Sequence, residues 1–122
     1  MKRNPPLLIS FEVMRGDYFA GPLLRFKSAL GVGFWGGAVL KSQLRTSSAS
    51  TSVVHTFDLS GAVITNENGV GVLSVPLFAT KLYTINWPAS KLVGDLNIES
   101  SSLPKTTLAF FRFNVSQNIT AP

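Results

Sequence analysis

The strongest constraint on the fold of this chain is a repeated alternation of apolar and polar residues in short runs. In Leu7–Met14 apolar side chains occupy every second position, and the same period returns in Lys91–Glu99 and Thr106–Ser116. A period of two places the apolar side chains on one face of a β-strand. We find no convincing segment with the 3.6-residue period of an amphipathic helix. The sequence therefore predicts an all-β protein.

Turn signals separate these runs at the spacing of about 8 to 12 residues that is typical of a sandwich or barrel. A polar loop follows the run at 38–45, and Asn66-Glu67-Asn68-Gly69 contains an Asn-Gly hairpin signal. Gly21-Pro22 breaks the run at 18–27, because proline cannot donate to a β-ladder. Four further strands are predicted at residues 18–27, 38–45, 53–59 and 70–75, with the polar loop at 46–52 and a turn at 100–104.

About seven strands therefore form a single antiparallel β-sandwich in this prediction. Pro76 is expected to end the strand at 70–75, and residues 77–88 fit either a helical turn or a short strand. Phe110 and Leu108 face away from the predicted core side of the last strand, which indicates a strand that is covered on both faces.

Length and composition favour one folded domain with many surface contacts. At 122 residues, the chain has room for one core. We predict a single domain at 1–122, with short extended arms at residues 1–6 and 117–122. Charged residues make up only 14% of the chain, so Ser, Thr and Asn must cover much of its surface, or neighbouring molecules must bury it. Cysteine is absent, which excludes disulfides and thiolate metal sites.

The net charge of +5 does not indicate nucleic-acid binding, because the basic residues are spread evenly and form no run. No stretch approaches the roughly 18 uninterrupted apolar residues of a membrane span. We therefore predict no nucleic-acid partner and no membrane association.

The sequence offers no catalytic constellation. His55 is the only histidine, and it shares an apolar strand face with Val53 and Phe57, as a partly buried structural histidine would. The six carboxylates show no metal-ligand spacing and no local motif for acid–base catalysis. We predict a protein that is not an enzyme and that uses no metal or cofactor.

Trp35 and Trp87 are the two candidate binding residues. A tryptophan near a loop can stack on a sugar or anchor a protein contact, since it offers a large apolar face at low entropic cost. Packing in the core or at the end of the sandwich is the competing interpretation for both.

The triplet Arg15-Gly16-Asp17 follows the first predicted strand. Glycine accepts a positive φ and aspartate bonds to its own downstream backbone, so the triplet predicts a turn. The alternative, an adhesion ligand, would require display at an exposed loop tip.

Four segments carry short motifs. Residues 14–19 contain Arg-Gly-Asp, residues 37–45 are a Gly-Ala strand that ends in Arg, residues 87–99 begin with Trp-Pro-Ala and include an Asp, and residues 113–120 end in Ile-Thr. Taken together, these segments resemble a family of small bacteriophage proteins.

Members of that family are similar to the amino-terminal domain of phage baseplate upper proteins. The resemblance implies an immunoglobulin-like β-sandwich that joins or decorates virion components in tail, baseplate or head. It implies other virion proteins as partners, a homo-oligomer or multi-copy assembly, and a location in a virion assembled in the bacterial cytoplasm. The extended arms and the edge strands would make the contacts.

Two other functions remain open from the sequence. A carbohydrate- or host-receptor-binding sandwich would use Trp35 and Trp87 in one groove. A small lipid- or nucleic-acid-binding barrel would require the basic residues to converge on one face.

Overall fold

The computed structural model describes residues 6–100 and 103–117, so most of both predicted arms and two residues of the predicted turn at 100–104 lie outside it. The alternation predicted above forms strands throughout this part of the chain. The strands are β1 (Leu7–Met14), β2 (Phe19–Ser28), β3 (Val39–Arg45), β4 (His55–Thr56), β5 (Val63–Glu67), β6 (Val70–Ala79), β7 (Lys91–Glu99) and β8 (Thr106–Ser116), with a 3₁₀ turn at Val32–Trp35 and one helical turn, α1, at Lys81–Thr84.

The strands form two sheets that enclose one apolar core. The larger sheet has the order β1-β8-β7-β3-β4, and the smaller has the order β2-β6-β5. Alternate residues of both sheets meet between them, which is the packing expected when each strand has one apolar face. Core side chains of the smaller sheet include Leu24, Leu73 and Val75, and those of the larger include Leu96 and Phe111. The predicted β-sandwich is confirmed.

The strand order is that of an immunoglobulin-like sandwich. β2, β6 and β5 correspond to strands B, E and D of one immunoglobulin sheet. β8, β7, β3 and β4 correspond to strands G, F, C and C′ of the other. The first strand lies beside the eighth instead of beside the second. The chain therefore changes sheet after β1, β2, β4 and β6, in a Greek-key arrangement.

The prediction of a purely antiparallel sheet is wrong at one pair. β1 runs parallel to β8, with Leu7 opposite Ala109 and Met14 opposite Ser116. The chain leaves the larger sheet after β1, and the last strand returns beside β1 in the same direction. Alternation along each strand is equally compatible with both pairings, because it reports only which face is buried.

Eight strands replace the predicted seven because β5 was missed. All five of its residues are exposed, so its sequence lacks the apolar period that marked the other strands. The predicted Asn-Gly turn is correct: Asn68 and Gly69 have φ of 54° and 86°, as a tight hairpin turn between β5 and β6 requires.

Pro76 does not end its strand as predicted. β5 pairs with β6 only as far as Ser74, and β2 has a register shift between Ala20 and Leu23, whose partner is Pro76. Pro76 therefore lies past the last residue that pairs with β5 and next to the bulge in β2, where its missing N–H interrupts little of the ladder. β6 therefore continues to Ala79, and α1 follows it, which resolves the ambiguous segment 77–88 in part as strand and in part as helical turn.

Two further predictions are corrected. The strand expected at 53–59 has only two ladder residues, His55 and Thr56, before the chain crosses to the smaller sheet. Phe110 is 48% exposed, so the outer face of β8 is not covered at that position, whereas Leu108 is partly buried against the core cluster.

Candidate functional site

The two ends of the sandwich differ, and we name them by their strands. The apical end is where β1 and β8 end and where β2 and β7 begin; α1 lies there. The basal end is opposite, with the 3₁₀ turn Val32–Trp35 and the turn between β5 and β6.

Trp35 packs into the basal end. Its side chain is 3% exposed, its Nε1 donates a hydrogen bond of 3.0 Å to the carbonyl oxygen of Gly71, and its ring meets Phe34 edge to face at 4.9 Å. A buried indole with a satisfied N–H is a common packing element. Trp35 thus fastens the 3₁₀ turn to the start of β6.

Trp87 packs into the opposite end. It is 1% exposed and its ring centroid lies 5.2 Å from that of His55 and 5.9 Å from that of Phe113. Its Nε1 is buried without a hydrogen-bond partner among residues 6–100 and 103–117.

The two tryptophans do not share a groove in this structure. Trp35 precedes β3 and Trp87 precedes β7, and these antiparallel strands begin at opposite ends, with Val39 opposite Glu99. Both rings are enclosed by the core, where the packing interpretation places them. A binding role for either ring alone stays a prediction.

His55 lies half-buried against aromatic rings. Ring centroids of Phe57, Tyr83 and Trp87 are 4.8, 5.1 and 5.2 Å from its own. Burial in this cluster lowers the pKa of the imidazole, because it disfavours the charged form. Its position on a core-flanking strand agrees with the structural histidine that the sequence indicates.

The Arg15-Gly16-Asp17 triplet forms the turn that the sequence predicts. The Asp17 N–H donates to the Met14 carbonyl at 3.1 Å, and Gly16 has a φ of 90°. A positive φ at the third position defines a type II turn and favours glycine there. The guanidinium of Arg15 donates from Nε to the Ile85 carbonyl at 2.9 Å and from Nη1 to Gln117 Oε1 at 3.0 Å. Arg15 is therefore engaged within the fold.

A second hydrogen bond joins this turn to α1. The hydroxyl of Thr84, which is fully buried, donates to the Asp17 carbonyl at 2.6 Å. Together with the Arg15 contacts, it fixes α1 over the apical end.

This anchoring turns the other side chains of α1 outward. In a helical turn successive residues are about 100° apart. With Thr84 facing inward, Leu82 and Tyr83 of α1 are left 76% and 57% exposed, and Ile85, which follows α1, is 54% exposed. At the same end of the sandwich, Tyr18 follows the turn residue Asp17 and stacks on Phe78 with ring centroids 6.4 Å apart.

We call these five exposed side chains the apical surface: Tyr18, Phe78, Leu82, Tyr83 and Ile85. Large exposed apolar groups gathered at one end of a fold mark interaction sites. Sequence reasoning missed this surface, because the segment that forms α1 has neither a clear β nor a clear helical period. The available signal was the density of large apolar residues between two prolines.

A pocket of about 310 Å³ lies between the sheets on the β3 and β5 side. Leu40 of β3, Leu73 of β6 and Ile64 of β5 line it with Phe57, and Ser60 supplies the polar group. Its size is at the low end of ligand pockets, and its lining offers few polar groups to orient a ligand.

The described ranges contain no group of three or more His, Asp or Glu side chains placed to hold a metal ion. None of their helices is long and apolar enough to cross a membrane.

Comparisons with known proteins add no relative. No protein-family model matches the chain. A search of curated proteins likewise returns no match.

Proposed function

We propose that this chain is a non-enzymatic structural protein of a bacteriophage virion that joins or decorates tail, baseplate or head components. It acts through protein–protein contacts made by many copies. The observation that supports this most directly is the apical surface, where α1 and the residue after it present Leu82, Tyr83 and Ile85 to solvent. Aromatic and large apolar side chains are the usual anchors of protein interfaces.

The rigidity of the apical surface also favours a docking role. α1 is a single turn, which would not be stable alone. Hydrogen bonds from Thr84 and Arg15 hold it against the rest of the fold. A preorganised surface loses less conformational entropy on binding than a mobile loop does.

The resemblance to phage proteins involves the same region. Residues 14–19 form the β1–β2 turn and include Tyr18, and residues 87–99 begin three residues after the end of α1. The described part of the segment 113–120 ends beside Arg15, to which Gln117 is hydrogen-bonded. Three of the four similar segments thus border the apical surface, which agrees with a shared contact role.

The test is binding to particles. The wild-type protein is mixed with virions of the phage that encodes it, after removal of the native copies, and co-sedimentation is measured over a concentration series. We expect stoichiometric binding that weakens roughly tenfold or more in the double variant Leu82→Lys/Ile85→Lys, because charged side chains would replace two interface anchors.

Leu30→Lys is the matched control. Leu30 is 74% exposed, close to the value for Leu82, but it follows β2 at the basal end. We expect this variant to bind particles as the wild type does, and both variants to unfold within about 0.5 kcal/mol of the wild type, since surface substitutions cost little. The proposal fails if the wild type does not bind, or if the double variant binds as strongly as the control.

A further inference from the structure

β1 is an open edge of the larger sheet. Within the described chain, β8 is its only hydrogen-bonded neighbour. Natural edge strands are usually protected by shortness, proline or bulges. Here β4 has two ladder residues, and β2 has Pro22 and a register shift. β1 has eight residues with no proline, glycine or register shift, so it lacks these protections.

The backbone of β1 presents free hydrogen-bonding groups at this edge. The N–H of Arg15 donates to the Ser116 carbonyl of β8 at 2.8 Å, which shows which side of the strand faces β8. Peptide groups of successive residues point to opposite sides of a strand. The N–H and C=O groups of Leu8, Ser10 and Glu12 therefore point away from β8. They form a template for one more strand.

The side chains of β1 also favour coverage. Leu7 and Leu8 are exposed, and Ile9 and Phe11 are only partly buried where they pack against the core. Apolar area that remains exposed beside a core is a source of free energy for association. A strand added at this edge would bury these side chains as well as pair the backbone groups.

We propose that β1 pairs antiparallel with β1 of a second copy of this chain, about a two-fold axis at Ser10. This register pairs the free groups of three residues: Leu8 lies opposite Glu12 of the other copy, and Ser10 lies opposite its own counterpart. Each such pair exchanges two hydrogen bonds. The two larger sheets then form one continuous sheet across an isologous interface.

The charges of β1 and β8 fit a second copy in this register. No like charges lie opposite each other, because Glu12 faces Leu8 and serine faces serine. Arg112 of β8 pairs in register with Ser10, is exposed, and forms no ion pair among the described residues. Glu12 accepts a hydrogen bond from the Asn114 side chain of its own copy at 3.0 Å. Glu12 of the second copy would lie on the same outer face opposite Leu8, whose β8 partner is Phe110, about two strand spacings, roughly 10 Å, from β8. The register therefore brings no like charges together and leaves Arg112 and the second copy's Glu12 as opposite charges on one face.

A charge exchange at the axis tests this register. The mass in solution is measured by sedimentation from micromolar to millimolar protein, and we expect the wild type to rise from 13.2 kDa toward twice that mass. Ser10→Lys and Ser10→Glu should each weaken the dimer by at least tenfold, since like charges then lie directly opposite. An equal mixture of the two variants should form a heterodimer at least as tight as the wild-type dimer.

A backbone substitution tests the hydrogen bonds. Ser10→Pro removes an N–H that faces away from β8, so it breaks no ladder bond within the monomer. We expect an unchanged unfolding temperature and loss of the dimer. The same lysine and glutamate substitutions at Thr65, on the edge strand β5 of the smaller sheet, serve as matched controls. These variants should dimerise as tightly as the wild type.

Three results would overturn the proposal. One is a wild type that stays at 13.2 kDa over the whole concentration range, which includes the case where β1 pairs with a strand of another protein. Another is a dimer that tolerates Ser10→Lys, and the third is a mixture of variants that stays monomeric. The pairing does not rest on the proposed virion role, because it is measured on the isolated protein, whereas the apical variants are measured on particles.

Discussion

Three aromatic rings around His55 connect a single titratable residue to the stability of the fold. The imidazole is half-buried between Phe57, Tyr83 and Trp87. Desolvation there lowers its pKa below the ordinary value of 6.5. The neutral ring is therefore the form that the folded state favours.

The lowered pKa of His55 predicts that the protein is less stable in mild acid. Between the lowered folded pKa and about 6.5 the unfolded chain binds more protons than the folded chain, so the free energy of unfolding rises with pH in that window. We expect the unfolding temperature of the wild type to fall as pH decreases from about 7.5 to about 5.5.

His55→Gln is the control for the pH effect. Its unfolding temperature should change less over the same range, because glutamine does not titrate. The nearby carboxylate of Asp58 accepts a hydrogen bond from the Ser60 N–H, which lowers its pKa and keeps it ionised in this window. Equal pH slopes for both proteins would contradict the assignment to His55.

Gly71 allows the backbone of β6 to approach the loop before the 3₁₀ turn. A Cβ built at this position would lie 2.2 Å from the carbonyl oxygen of Gly31 and 2.7 Å from the backbone N of Val32. Backbone atoms must then move, and Trp35, which is bonded to the Gly71 carbonyl, moves with them. We expect Gly71→Ala to destabilise the protein by about 1–3 kcal/mol, the usual cost of overpacking.

Gly33 is the matched control for that substitution. A Cβ there would meet no atom within 4 Å, and its φ lies outside the left-handed region. Chemical denaturation of both alanine variants checks the prediction, which is contradicted if Gly33→Ala costs as much as Gly71→Ala.

At the residue scale, sequence reasoning identified the unusual side chains better than their locations. The Arg-Gly-Asp turn follows from the intrinsic preferences of glycine and aspartate, which are local. The separation of Trp35 from Trp87 depends on the direction of β3 relative to β7, which no local preference determines. The hypothesis of a shared groove lacked that information.

Among the secondary-structure elements, periodicity located the strands with one buried face and missed those without one. β1, β7 and β8 have the predicted bounds, because their alternation is strict. β5 has no buried residue, so pairing with β6 creates it without an apolar signal. Beyond Pro76, Leu77 and Ala79 continue the inward positions of Leu73 and Val75. That continuation was the available signal for the full length of β6.

The buried hydroxyl of Thr84 is one of two side-chain anchors of α1. Thr84→Val keeps the shape of the side chain but removes the hydrogen bond to the Asp17 carbonyl. We expect a loss of stability of about 1–3 kcal/mol, because the hydrogen bond is partly buried and the Asp17 carbonyl would lose its partner. Hydrogen exchange of the backbone N–H groups of Thr84 and Ile85 should become faster, and the opening free energy that it reports should fall by a similar amount.

Thr80 provides a control within the same segment. Its Oγ1 is buried and has no hydrogen-bond partner in the described chain, so Thr80→Val removes an unsatisfied group. We expect this variant to be as stable as the wild type or more stable. If the two valine variants lose equal stability, the hydroxyl of Thr84 is not an anchor.

For the whole molecule, the sequence predicted the sandwich but not its contact surfaces. Strand number, spacing and the lack of helical periods together favour two packed sheets. The apical surface and the open β1 edge arise from long-range packing: Thr84 must meet Asp17, and β8 must return beside β1. Such contacts join residues far apart in sequence, where pattern analysis provides no distance.

The parallel pairing of β1 with β8 also determines how the molecule would bear load. Because the two strands run in the same direction, Pro6 and Gln117 leave the sandwich from opposite ends. Tension applied through these ends acts along the strands and shears the whole β1–β8 ladder at once, whereas an antiparallel pair pulled from one end would unzip bond by bond. A copy pulled through both of these residues would thus resist the force with all the β1–β8 hydrogen bonds at the same time.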